Sequence, residues 1–320
     1  MEIEKNEFLA SIVSDKKGAE YDVAVMYSGG KDSSYMLLLL KEVYNLRVLA
    51  VMVDNGFEHE GCVDDASSFL KKNCIDYHVI RPDKNIMISV YKSLIVESDL
   101  YKKKGVNHFC FICNNLIWLN VMDYAYKHEI PYIATGLDVA QLESGRTREH
   151  VIDQYANRVA EKSLKYIFKQ ALSSFNKSNL LNESNIQDFI SELNPANKKV
   201  KTIFPFLYHQ IPVENIKDEL CNRGWTPPAG IDFKKYVSSG CMMMKYVIPE
   251  LEKLGILEMS EREQAKAMYE KGLLSDEHID YVLYDPRKEM LNFQSELFDK
   301  LCVKEVLIEC AEKMGYEYIS

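Results

Sequence analysis

Seven consecutive residues, Ser28-Gly29-Gly30-Lys31-Asp32-Ser33-Ser34, gather in one short stretch the groups that a phosphate binds. They follow the apolar run DVAVMY at 22–27 and lead into SSYMLLLLKEVYN, which is mostly apolar. That context reads as strand, turn and helix. Gly29 and Gly30 carry no side chain, so the backbone can approach an anion closely and take positive φ. The helix that follows aims unpaired N–H groups and its positive dipole end at the same point. Lys31 adds a mobile cation, Ser28, Ser33 and Ser34 add hydroxyl donors, and Asp32 is a carboxylate suited to Mg²⁺. A plain glycine turn before a serine-capped helix would need only part of this set. The pattern is not the Walker loop, whose spacing is G-x-x-x-x-G-K-[ST].

A second group carries sulfur. Of eight cysteines, at 62, 74, 110, 113, 221, 241, 302 and 310, only Cys110 and Cys113 form a close pair. They stand just ahead of a helix expected from Asn115 to His128, and a thiol at a helix N-terminus has a lowered pKa that suits metal binding or nucleophilic attack. Cys241 lies in Ser238-Ser239-Gly240-Cys241-Met242-Met243-Met244, where Ser-Ser-Gly frees the backbone to turn and an apolar, sulfur-rich wall follows. Taken alone, these residues leave three readings open. Zinc could be held by Cys110, Cys113, Cys241 and His108. The pair could act without metal, one cysteine as a persulfide and the other resolving it. Or the cysteines are packing residues, as buried thiols often are. The other five have no partner pattern and read as structural.

The elements that must position these groups alternate. Strands are expected at 22–27, at RVLAVMVDNG ending in Asp54-Asn55-Gly56, at Tyr77 to Ile80, and at Pro131 to Gly136. Helices are expected after Ser33, from Asp64 to Lys72, and from Asn115. Strands alternating with helices predict a doubly wound, mostly parallel α/β sheet, with ligands outside the carboxyl ends of its strands. The pattern divides the chain into a core at 1–145, a continuation at 146–245 with a helical, Asn/Ser-rich insertion and the third cysteine, and a helical C-terminal region at 246–320. Arg146 and Arg148 could clamp a phosphate or belong to a surface loop. His209 and Trp225 read as a core histidine and a buried indole before they read as pocket walls.

The loop resembles the PP-loop of the ATP pyrophosphatase superfamily, also called adenine nucleotide alpha hydrolases, over about residues 20 to 145. The resemblance implies a HUP-type fold and an enzyme that grips the β and γ phosphates of ATP while a substrate oxygen attacks the α phosphate. Pyrophosphate leaves and an adenylylated substrate remains. It implies Lys31 and Asp32 as catalytic groups and Asp54 and Asn55 beside the adenosine. Gly136 would lie under the α phosphate and Asp138 near the metal, although Gly136-Leu137-Asp138-Val139-Ala140-Gln141 departs from the family's usual run there. Three cysteines in a two-plus-one arrangement resemble the iron–sulfur-dependent thiolases of that superfamily, in which they hold a [4Fe–4S] cluster. The implied activity is an ATP-dependent sulfurtransferase with ATP, Mg²⁺ and the cluster as cofactors, Cys113 among its catalytic residues, and a cysteine desulfurase or free sulfide as donor. A tRNA base thiolase, an ammonia-using amide or amidine ligase, and a non-catalytic adenine-nucleotide sensor are the alternatives.

Bulk composition weighs on the substrate. The chain has 320 residues and a formal net charge of −9. Nucleic acid rewards a basic face, and here only Lys102-Lys103-Lys104 and Lys198-Lys199-Val200-Lys201 offer one. Both read first as solvated surface. SEREQAKAMYEKG and SDEHIDYVLYD are acidic. A small molecule, such as a nucleobase or amide, is therefore the expected substrate, with tRNA the rival. No apolar run reaches the roughly 20 residues of a membrane span, and the start MEIEKNEFLA is not a secretory leader. A cytoplasmic homo-oligomer is the expectation.

Overall fold

A computed structural model of the chain describes residues 12, 18–96, 108–137, 200–207, 209, 211–227, 240–256, 266, 268–276 and 288–320. Five parallel strands make its central sheet: β1 (Val23–Met26), β2 (Val48–Val53), β3 (Asp76–Ile80), β4 (Tyr132–Ala134) and β5 (Lys201–Ile203). Their spatial order is β3-β2-β1-β4-β5. β1 is apolar throughout and fully buried because helices cover both faces of the sheet. Its pleat sends Val23, Val25 and Tyr27 to one face and Ala24 and Met26 to the other. The first face packs on α1 (Lys31–Leu38), α2 (Cys62–Lys72) and α5 (Val213–Asn222), through Met36, Leu37, Phe69, Leu70 and Leu220. The second packs on α4 (His108–Lys127), through Trp118, Val121, Met122 and Ala125.

The doubly wound α/β fold is as the alternating pattern predicts. Three elements differ from that reading. α3 (Lys84–Val96) follows β3 where no element was expected. β5 forms from Lys201-Thr202-Ile203, beside a stretch that read as solvated basic surface; Thr202 and Ile203 are buried against β4 while Lys201 stays outside. Lys198 and Lys199, like Lys102 to Lys104, lie outside the described residues. The C-terminal region at 246–320, expected to be helical, also holds strands. Leu291–Asn292 is strand β6, paired in parallel with β7 (Tyr318–Ile319), and the helical part divides into α7 (Glu296–Lys300) and α8 (Lys304–Met314). Cys302 takes φ +53° at the division, a left-handed turn that no helix interior accommodates.

The C-terminal elements share a core with the sheet domain. Phe57, Met87, Val90 and Tyr91 pack in one buried cluster with Val247, Leu251, Phe293, Phe298 and Leu307. Within it α6 (Ile248–Lys253) grips β6 by polar contacts. Glu250 and Lys253 form a buried ion pair at 3.0 Å. Asn292 N donates to Glu250 Oε2 at 2.9 Å, and Lys253 Nζ donates to the Met290 carbonyl at 2.9 Å. The charges of Glu250 and Lys253 are thus both partnered, as burial demands. No helix among the described residues is long and apolar enough to cross a membrane.

Candidate active site

The strand order reverses at β1, with β2 on one side and β4 on the other. That divergence opens a crevice at the carboxyl ends, and the chain sets its glycine-rich loop there. Gly29 takes φ +76°, and a Cβ on it would lie 3.0 Å from the Cβ of Ala66 in α2. Glycine is required both by backbone and by space. Gly30 caps α1 in extended conformation. Ser33 Oγ braces the turn: it donates to the Gly30 carbonyl at 3.1 Å, accepts from Ser28 N at 3.2 Å, and sits 3.1 Å from Ser28 Oγ. Ser34 is fully buried, its hydroxyl 3.4 Å from that of Tyr27, so it supports the loop from behind.

Lys31 is only 4% exposed. Its ammonium donates to both carboxylate oxygens of Asp32, at 2.7 and 2.6 Å. Cation and carboxylate therefore stand together at the start of α1, as phosphate and Mg²⁺ binding would need. The indole Nε1–H of Trp225, a buried residue, donates to the Gly29 carbonyl at 2.9 Å. Gly136 follows β4, where a Cβ would come within 3.2 Å of Ser33 N. The end of β4 can thus lie against the first turn of α1 only without a side chain. Asp138, Arg146 and Arg148 lie outside the described residues. His209 pairs through Nε2 with the Tyr44 hydroxyl, consistent with a packed histidine.

Past β2 the chain turns on its own side chains. Asp54 Oδ1 accepts from Gly56 N at 3.0 Å, and Arg81 pairs with Oδ2 at 3.3 Å. Asn55 is buried; its Oδ1 accepts from Phe57 N at 2.9 Å and its Nδ2 donates to Cys113 Sγ at 3.3 Å. The side chain expected beside adenosine is thus tied to the sulfur side of the site. Next, Glu58 forms an isolated antiparallel bridge with Cys241. His59 N donates to the Gly240 carbonyl at 2.9 Å, and Met242 N to that of Phe57 at 2.8 Å. This short pairing carries Cys241 from a distant part of the sequence to the carboxyl end of β2.

Cys113 and Cys241 meet there close enough to act on each other electrostatically. One expectation is corrected. Cys113 does not stand ahead of a helix; α4 begins at His108 and includes it. Its thiol is not activated by a helix end but pushed up by burial, despite hydrogen bonds from Tyr91 and Asn55. Burial and the neighbouring Glu58 push the Cys241 thiol up as well. Such thiols hold their protons until a soft metal or another thiophile replaces them. Two half-buried sulfurs with a directed N–H donor fit thiolate ligation of iron. Cys110 belongs to the same helix, but its side chain lies outside the description. Among the described residues no group of three or more His, Cys, Asp and Glu is arranged around a metal position.

Sequence reading missed Glu58. Burial and the charge of Asp54 push its carboxyl up to about 7. Glu58 shares a small cavity with Ser28 and Gly29 of the phosphate loop, Asp65, Trp225 and Gly240. It therefore stands between the glycine-rich loop and the two sulfurs. The only signal was its place just beyond the second strand end, where such sheets put functional groups.

No family model matches the chain. Among curated proteins it is similar to the uncharacterized protein MJ1599 of Methanocaldococcus jannaschii, 31% identical over 121 residues, which are 38% of this chain and 40% of that protein. The chain thus spans about two fifths of the length of that relative. Among solved structures it is similar to the U34-tRNA thiolase NcsA of Methanococcus maripaludis with its [4Fe-4S] cluster, at TM-score 0.39 and 18% identity over 91% of this chain and 86% of that one. It is also similar to the NH3-dependent NAD synthetase of Campylobacter jejuni, at TM-score 0.31 and 11% identity over 69% and 95%. A third is NMN synthetase of Francisella tularensis, at 0.30 and 16% over 44% and 57%. Those scores are low, and the chain's own residues carry more. A loop reading SGGKDSS stands at the carboxyl end of β1, in a parallel sheet ordered 3-2-1-4-5, and these give the chain a doubly wound α/β fold with a glycine-rich loop at its switch point.

Proposed function

We propose that the chain is an ATP-dependent sulfurtransferase. The observation that carries this reading is the bridge from Glu58 to Cys241, which sets a second, half-buried sulfur beside Cys113 next to the phosphate loop. The loop backbone and Lys31 hold the β and γ phosphates, with Asp32 toward Mg²⁺. A carbonyl oxygen of the substrate attacks the α phosphate; the bond to the bridging oxygen breaks and pyrophosphate leaves. Lys31 stabilises the charge that builds on the leaving group. Sulfide then attacks the activated carbon, the C–O bond breaks and AMP departs, leaving C=S. A free amide oxygen is a poor leaving group and AMP a good one, which is what the ATP is for.

Cys110, Cys113 and Cys241 are the residues that would hold a [4Fe–4S] cluster, which when bound supplies an open iron site for sulfide. Asn55 and Tyr91 orient Cys113 by donating to its sulfur. The net charge of −9 favours a small substrate such as a nucleobase or amide over tRNA. The test is anaerobic purification with an absorption spectrum and iron, acid-labile sulfide and zinc assays. Pyrophosphate release and thiolated product are then measured with sulfide, on a panel of free heterocycles and on total tRNA. Iron with sulfur-dependent product from a free heterocycle is expected. Turnover that depends on ammonia and ignores sulfide would overturn the reading, and thiolated nucleoside from tRNA would reverse the choice of substrate.

A further inference from the structure

A second cavity of this molecule lies far from that chemistry. It is a groove of about 670 Å³ at the amino ends of the strands, a volume in the range of small-molecule sites. Tyr21 precedes β1, Asp76 opens edge strand β3, Tyr124 lies in the last turn of α4 and His128 directly follows that helix. Three of its walls form a ladder of rings. His78 stacks on Tyr124 at 4.4 Å between centroids, and Tyr124 on His128 at 4.1 Å, with interplanar angles of 25° and 24°. Tyr21 and Tyr77 add two further rings.

The groove is lined by two carboxylates, Glu20 and Asp76, and by one lysine, Lys71. The Tyr21 hydroxyl donates to Asp76 Oδ2 at 3.2 Å. Among the described residues no hydrogen bond takes the other carboxylate oxygen. Burial and Asp76 push Tyr21 up to about 12, so its proton stays. Burial and the neighbouring His128 pull His78 down, which keeps its ring a neutral stacking surface.

We infer that this groove binds a planar heteroaromatic compound that carries N–H donors and no phosphate. The ring ladder supplies a face for stacking, which tolerates any flat π system. Asp76 and Glu20 accept from ring or exocyclic N–H groups. The same carboxylates repel a phosphate backbone, so a free base or similar heterocycle fits better than a strand of RNA. The site lies a whole strand length from the loop after β1, so its ligand is not the group that meets the α phosphate.

The test is calorimetric titration of the intact chain with adenine, cytosine and uracil, and with oligouridylate. One base should bind one-to-one with Kd below about 1 mM. Tyr124→Leu and His78→Ala should each weaken it by about tenfold or more, the scale of removing one stacking ring. Glu58→Gln, at the opposite end of the sheet, should not. His78 is exposed, so His78→Ala keeps the test open should Tyr124→Leu fail to fold. No binding by any base would overturn the inference, as would tighter binding of the oligonucleotide. Loss of binding in Glu58→Gln but not in His78→Ala would place the ligand at the catalytic end and overturn it too.

Discussion

The indole of Trp225 holds the carbonyl of Gly29 at 2.9 Å inside the protein. A residue beyond α5 thereby fixes the peptide on which the phosphate loop turns. Trp225→Phe keeps most of the packing and leaves a buried carbonyl unsatisfied, at a cost of about 1–3 kcal/mol. The expected outcome is a rise of roughly tenfold in KM for ATP, with a smaller change in kcat, read from pyrophosphate release. An unchanged KM would show that the loop keeps its shape unaided.

The loop should serve chemistry more than folding. Lys31→Ala is expected to remove most pyrophosphate release while the far-UV circular dichroism stays native. Gly136→Ala should act in the same direction, since its Cβ would press within 3.2 Å of Ser33 N. Normal turnover in Lys31→Ala would end the assignment of the loop.

Cys110, Cys113 and Cys241 should behave as a unit. Each single alanine variant is expected to lose iron and thiolation together, and the triple variant should be little worse than any one of them, because members of a unit are not additive. Metal analysis and product assays on the same preparations check this. Full activity in Cys241→Ala would leave the pair to work alone as persulfide and resolving thiol.

Glu58 gives a pH signature in the metal-free protein. Its carboxyl is raised from 4.5 to about 7 by burial and by Asp54. A raised acid contributes stability that is complete below its unfolded pKa and is lost as pH rises through the folded one. Thermal midpoints should therefore fall between about pH 5 and pH 8. Glu58→Gln should flatten that part of the profile. A profile identical in both proteins would mean that the carboxylate is not confined as described.

Much of this was legible in the sequence for a physical reason. β1, its loop and α1 are one continuous stretch, so apolar run, glycines and helix are read together. β5 was not legible, because three residues next to a lysine run carry no periodicity and gain their burial only from β4. Cys113 looked activated while the start of α4 was set at Asn115; the helix begins earlier, and its packing raises the thiol. Glu58 was invisible for a third reason. Nothing local distinguishes it, and its burial comes with a bridge to residue 241.

That bridge also sets a timetable for the chain as it leaves the ribosome. The residues of the phosphate loop emerge early, yet their anchor is Trp225, and the second sulfur is hung on Phe57 and His59 by backbone bonds from Gly240 and Met242. A chain stalled before residue 225 has neither anchor nor sulfur pair, and one stalled between there and 240 has the anchor alone. The anchor of the glycine-rich loop is therefore made before the pair of sulfurs is complete in the course of synthesis.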